Sequence, residues 1–156
     1  MTTPRQGMER QLTGDLIRVT RLYRKEVNRA LSSYGISDAK AVPVLHIARY
    51  GGGMRQNMLA EEIGIEGPSL VRLLDQLCSH GLVERRDDCH DRRAKNLHLT
   101  PAGQELAARV EAALVEIRGR LLASLDDSDI AACVRVIETL SAKLEMSASP
   151  AKNDDR

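Results

Sequence analysis

The sequence predicts a mainly α-helical protein with a small β-wing, a winged helix-turn-helix joined to a helical dimerisation region. Three observations lead there. The chain has no Trp, no Phe and only Tyr23, Tyr34 and Tyr50, so its core must be aliphatic, which favours helices over a β-sandwich. Toward both ends of the chain apolar residues recur at three- and four-residue steps, the period of one helix face. Between them, two short helical segments around a Gly-containing turn are followed by two short strands flanking a charged loop. With 156 residues, 42% of them hydrophobic, the chain is long enough to bury one core.

The elements follow in order. From about Gln11 to Tyr34, the side chains of Leu16, Val19, Tyr23, Val27, Ala30 and Tyr34 share a helix face, and Gly35 ends the run. Ser37 or Asp38 caps a second helix to about Tyr50, with Val42, Leu45 and Ile47 inward. Pro43 should kink its first turns or delay its start, and the glycines at 51–53 stop it. A short helix from about Gln56 to Ile63 buries Leu59, Ala60 and Ile63 before Gly64. Pro68 then opens a helix reaching about His80, in which Leu70, Leu73, Leu74 and Leu77 form the inner stripe and Ser69, Arg72 and Gln76 the opposite face. Leu82–Arg86 and Lys95–Leu99 read as strands, the second with Leu97 and Leu99 inward and Asn96 and His98 outward. Thr100 and Pro101 open a helix carrying Leu106, Val110, Leu114, Ile117 and Leu121. A last helix from about Asp127 carries Ile130, Val134, Ile137, Leu140 and Leu144. The expected organisation is a winged module at 38–100, a helical dimerisation region from 1–37 and 101–146, and a polar, disordered tail at 147–156.

Within the stretch ERRDDCHDRRAKNLHLT, residues 84–100, five basic and four acidic side chains sit with two histidines and a cysteine. A helix-turn-helix followed at once by a basic hairpin suits double-stranded DNA. Arg72 is expected to pair with a guanine edge in the major groove, Gln76 with an adenine, and Ser69, next to Pro68, with a phosphate. Arg92 and Arg93 would reach the flanking minor groove, with Asp88 and Asp91 holding the arginine side chains. Arg86 and Lys95 complete the DNA-facing set. The net charge is only +1, so the polyanion must be met locally rather than by a uniformly basic surface.

The segment IEGPSLVRLLDQLCSHGLVERRDDCHDRRAKNLHLT closely resembles the DNA-binding core of the MarR family of bacterial transcription regulators, especially its SlyA branch. DRRAKNLHLT is its most specific element, and the order of helices extends the likeness over about residues 11–146. The resemblance implies a homodimer with interleaved terminal helices, acting mostly as a repressor on palindromic operators. It also implies release of DNA when a small aromatic or phenolic acid enters a pocket between the two regions. By position, Arg72 matches the recognition-helix arginine and Arg92 the wing-tip arginine. Independently, long amphipathic helices at both ends of a self-contained winged module call for a second copy to cover them. For the effector, Arg18 is expected to meet a carboxylate, and Tyr23 or His46 a ring hydroxyl or nitrogen.

Other chemistries find less support. Cys89, His90 and His98, with Cys78 or His80 nearby, offer zinc-binding atoms, but without CxxC or HxxxH spacing, so no metal and no cofactor is expected. Cys133 is a weak candidate for a redox sensor. No phosphate loop, GxSxG or HExxH is present, and an enzyme is not expected. Nothing near the N-terminus resembles a signal peptide, and no run approaches the roughly eighteen apolar residues of a membrane span. A cytoplasmic location with free thiols is the expectation.

Overall fold

The computed structural model describes residues 3–88 and 95–148. Helix α1 runs from Pro4 to Leu31, with a 3₁₀ turn at Ser32–Tyr34, and α2 spans Asp38–Tyr50. Strand β1 is Met54–Arg55, α3 is Gln56–Ile63, α4 is Gly67–Ser79, β2 is Val83–Asp87 and β3 is Lys95–Leu99. Helices α5, Pro101–Leu122, and α6, Asp127–Ala148, complete the order. The three strands form an antiparallel sheet in the order β1–β3–β2, with Met54 opposite Leu97 and Val83 opposite Leu99. The architecture is the winged helix expected from sequence.

The chain divides into one unit up to Arg118 and a second from Gly119. Two aliphatic clusters fill the first, and α2 belongs to both. Its Val44 and Ile47 join Met54, Leu59, Leu70, Leu74, Leu77, Val83, Leu97 and Leu99 beneath the helix-turn-helix. Its Ala41 and Leu45 join Val27, Leu31, Ile36, Leu106, Val110, Leu114 and Ile117 between α1 and α5. Fully burying one such leucine stabilises by about 1.5–3 kcal/mol, so α2 is held firmly from both sides. Leu82, just before β2, packs against both clusters.

Several boundaries differ from expectation for local reasons. Helix α1 starts at Pro4 rather than near Gln11, because Thr3 and Gln6 form a reciprocal capping box ahead of it. Its C-terminal end tightens into the 3₁₀ turn before Gly35, which adopts φ 66°. Helix α2 begins at Asp38 despite Pro43 inside it. The Asp38 N–H donates to Asn28 Oδ1 and its buried carboxylate accepts from Arg24 Nε, each at 2.8 Å, which anchors the first turn on α1. Helix α4 starts one residue before Pro68, and β2 is shifted by one residue from Leu82–Arg86. Strand β1 was not foreseen. At the base of α5, the Thr100 hydroxyl accepts from the Gly103 N–H at 3.0 Å and donates to the Gly81 carbonyl at 2.6 Å.

In the second unit, α6 runs to Ala148, two residues past the expected end of the helical region at 146, and residues 149–156 lie outside the described residues. Its apolar stripe is open to solvent in a single copy: Val134 is 45% exposed and Leu144 69%. The first half of α1 behaves likewise, with Val19 exposed although its period placed it inward. Leu121 and Tyr34 are also exposed rather than buried.

Candidate nucleic-acid interface and ligand cavity

Helix α4 separates its residues by face. Leu70, Leu74 and Leu77 are fully buried and Leu73 is half-buried, whereas Pro68, Ser69, Arg72, Asp75 and Gln76 are exposed. Arg72 makes no ion pair among the described residues, so its guanidinium is available to an external acceptor. Asp75 accepts from Arg85 of β2 at 2.7 Å, which ties the exposed face of α4 to the hairpin. The structure thus brings Pro68, Ser69, Arg72 and Gln76 together as expected.

The hairpin carries more internal pairing than its sequence suggested. Arg86 donates its Nε to Glu84 at 2.9 Å, and Lys95 is bonded to Asp87 across the strands. Asp88, expected to hold a wing arginine, accepts from Arg55 of β1 and from Asn96 of β3, both at 3.2 Å. Arg55 was missed, because it belongs to this corner only through the pairing of β1 with β3. Such exposed pairs contribute at most about 1 kcal/mol each; their effect is to orient side chains. Arg92 and Arg93, with Cys89, His90 and Asp91, lie outside the described residues. His98 stands against Gly52 and Gly53, and Cys78 is half-buried on α4, while Cys133 is exposed on α6.

A cavity of about 210 Å³ opens between α1, α2 and α5, lined by Tyr23, Leu45, His46, Arg49, Leu114 and Arg118 among others. Two of the three expected effector contacts, Tyr23 and His46, are there. Arg18 is not; its exposed guanidinium lies 3.9 Å from Asp15 on its own helix, because its position falls off the inward stripe of α1. The cationic groups at the cavity are instead Arg49 and Arg118, which both donate to Glu111, at 2.9 and 2.5 Å. Arg118 first and Arg49 second hold the Glu111 carboxyl below the usual carboxylate range.

A family model for MarR regulators matches residues 34–94, from the last residue of the 3₁₀ turn to the residue before β3. The crystal structure of the transcriptional regulator PA3341 is 40% identical, with 86% of this chain and 98% of that one covered and a TM-score of 0.80. This chain belongs to the MarR family. Two MarR structures show the same fold. The regulator from Rhodococcus sp. RHA1 is 23% identical, with a TM-score of 0.75 and coverage of 85% of this chain and 93% of that one. A mutant MarR from E. coli complexed with operator DNA is 22% identical, with a TM-score of 0.72 and coverage of 81% and 91%. The MarR-family winged helix accounts for the placement of α3, α4 and the hairpin, and identifies the protein as a transcription regulator. No helix among the described residues is long and apolar enough to cross a membrane.

Proposed function

We propose that the protein is a homodimeric repressor that reads a palindromic operator and leaves it when a small aromatic or phenolic acid binds. The observation that carries the DNA reading is the sorting of α4, whose leucines are buried while Ser69, Arg72 and Gln76 share one exposed face. That face matches the major groove, where Arg72 reads guanine and Gln76 adenine. The MarR relative complexed with operator DNA supports the same use of the fold here. Arg86 and Lys95 at the hairpin contact phosphates after leaving their acidic partners, with Arg92 and Arg93 extending into the minor groove.

Dimerisation is supported by the open apolar stripes of α1 and α6, which a second copy of residues 1–37 and 101–146 would cover. Two copies of α4 about 34 Å apart would then face successive major grooves of a palindrome. The effector reading rests on the cavity holding Tyr23 and His46, in which Arg49 and Arg118 take the role first assigned to Arg18. The protein works beside DNA in the cytoplasm, as a regulator rather than a catalyst.

Selection of genomic fragments by the purified protein tests this reading. Enriched fragments should share an inverted repeat, bind one dimer per repeat and be released by an aromatic acid. Enrichment without a common repeat would remove the sequence-specific role.

A further inference from the structure

Arg49 closes α2, and its Nη2 reaches across to Glu111 of α5. Arg118, two turns further along α5, binds the other oxygen of the same carboxylate. One carboxylate therefore serves two guanidiniums. The cluster keeps an excess positive charge, and each fork retains N–H donors beyond the one it spends on Glu111.

The placement of the three groups is unequal. Arg49 and Arg118 line the cavity of about 210 Å³ beside Tyr23 and His46, while Glu111 lines a neighbouring cavity of about 480 Å³ that also touches His98. Arg49 borders both cavities, as does Leu45. The carboxylate that does line the smaller cavity, Asp38, is engaged by Arg24. An anion entering the smaller cavity thus meets two arginines whose present partner, Glu111, lines the neighbouring cavity instead.

We propose that the Arg49–Glu111–Arg118 bridge is a carboxylate-exchange site, in which an organic acid in the smaller cavity takes the two arginines from Glu111 and so cuts a tie between α2 and α5. This rests on the effector reading above and gives it a mechanism. Exchange of one carboxylate for another on the same donors is close to balanced, so the added drive comes from burying the ring against Val27, Leu31, Leu45 and Leu114. The volume lies below the roughly 300–1,000 Å³ of pockets for larger ligands, which restricts the acid to a single ring.

The release has a route to the DNA-binding parts. Arg49 is followed, one residue on, by Gly51, Gly52 and Gly53, all left-handed with φ 83°, 90° and 77°. The Gly53 N–H donates to the Leu97 carbonyl of β3 at 2.9 Å, and Gly52 stands so close to His98 that an added Cβ would lie 2.9 Å from its Nδ1. The end of α2 is thereby fastened to the central strand of the wing. Freeing Arg49 loosens that fastening at its α2 side.

Calorimetric titration of the full-length protein with benzoate, and with benzamide as its neutral counterpart, tests the exchange. Wild type should bind benzoate at least about tenfold more tightly than benzamide. Glu111→Gln, which leaves the arginines without a competing anion, should tighten benzoate about five- to tenfold, and Arg118→Met should weaken it about tenfold or more, with Arg118→Lys between them. Thermal unfolding of each variant confirms that it folds, and the lysine variant stands in if the methionine variant does not. If benzoate releases selected DNA from wild type with an affinity that Glu111→Gln and Arg118→Met leave unchanged, the exchange is wrong and the effector reading survives. If Glu111→Gln tightens benzoate yet benzoate never moves DNA, the exchange holds and the effector reading fails. Absence of benzoate binding to both wild type and Glu111→Gln overturns the exchange itself.

Discussion

Gly103→Ala sets helix propensity against close packing, and the structure decides which prevails. Alanine in a helix is ordinarily better than glycine by about 1 kcal/mol, so propensity alone forecasts a more stable protein. At Gly103, however, an added Cβ would lie 2.0 Å from the Leu82 carbonyl oxygen, about 1.4 Å short of ordinary contact at 3.4 Å. The obstacle is backbone, so no rotamer change relieves it. That same carbonyl accepts the Thr100 N–H at 3.1 Å, and the Thr100 hydroxyl holds the Gly103 N–H, so α5 cannot tilt away without losing its cap. Overpacking of this kind costs about 1–3 kcal/mol and occasionally more, and loss of a hydroxyl cap about 1 kcal/mol. After subtracting the propensity gain, a net loss of about 2 kcal/mol is expected. For a chain of this size that corresponds to a fall in Tm of roughly 4–8 °C. Circular dichroism melts at one fixed protein concentration measure it, since an oligomer's Tm depends on concentration. Gly67→Ala is the control, because a Cβ there meets nothing within 4 Å, so that propensity alone acts and Tm should hold or rise slightly. A Gly103→Ala protein melting at or above the wild-type temperature would refute the reasoning.

Arg72→Ala should cost about 1–3 kcal/mol per half-site and relax base preference; equal losses on operator and random DNA in a binding titration would move Arg72 to the phosphate backbone. Lys95→Ala should lower affinity for all DNA and reduce the salt slope by at most about one unit, since Lys95 must first leave Asp87; an unchanged slope removes its phosphate contact. Ile137→Asp, in the open stripe of α6, should convert the dimer to monomer or unfold the chain, and a stable dimer by analytical ultracentrifugation would contradict the role given to that stripe. Glu111 carries a pH signature. Its folded carboxyl is depressed by Arg118 and Arg49, so the stability it lends is present above the unfolded value of about 4.3 and is lost as pH falls through the lower folded value. Glu111→Gln should therefore flatten the acid side of a plot of denaturation midpoint against pH, and a parallel curve would disprove the linkage.

The helices could be read from the sequence because their signals are local. The leucines at 70, 74 and 77 keep one face throughout α4, and the Thr100–Pro101 pair marks the start of α5 within a residue. The capping box at Thr3 is equally local, with Thr3, Pro4 and Gln6 in sequence, but it lies ahead of the point where the apolar period begins. Strand β1 carries no such signal: two residues have no period, and only pairing with β3 defines them. The cavity between α1, α2 and α5 was half legible for the same reason. Tyr23 and His46 lie near inward stripes of their helices, but Arg49 and Arg118 converge only because α2 and α5 pack around one aliphatic cluster, and Glu111 then gathers both. A one-dimensional pattern places a side chain on a face; it does not say which distant faces meet.

The strand order β1–β3–β2 leaves β2 on an open edge of the sheet. A row of unsatisfied backbone groups on such an edge invites pairing with the same strand of another molecule, the starting point of aggregation. Here the edge carries Glu84, Arg85, Arg86 and Asp87 in succession, so two copies brought edge to edge in antiparallel or parallel register must bury or oppose charges of both signs. The mixed charges proposed to serve a polyanionic partner thus also work against polymerisation through the sheet edge.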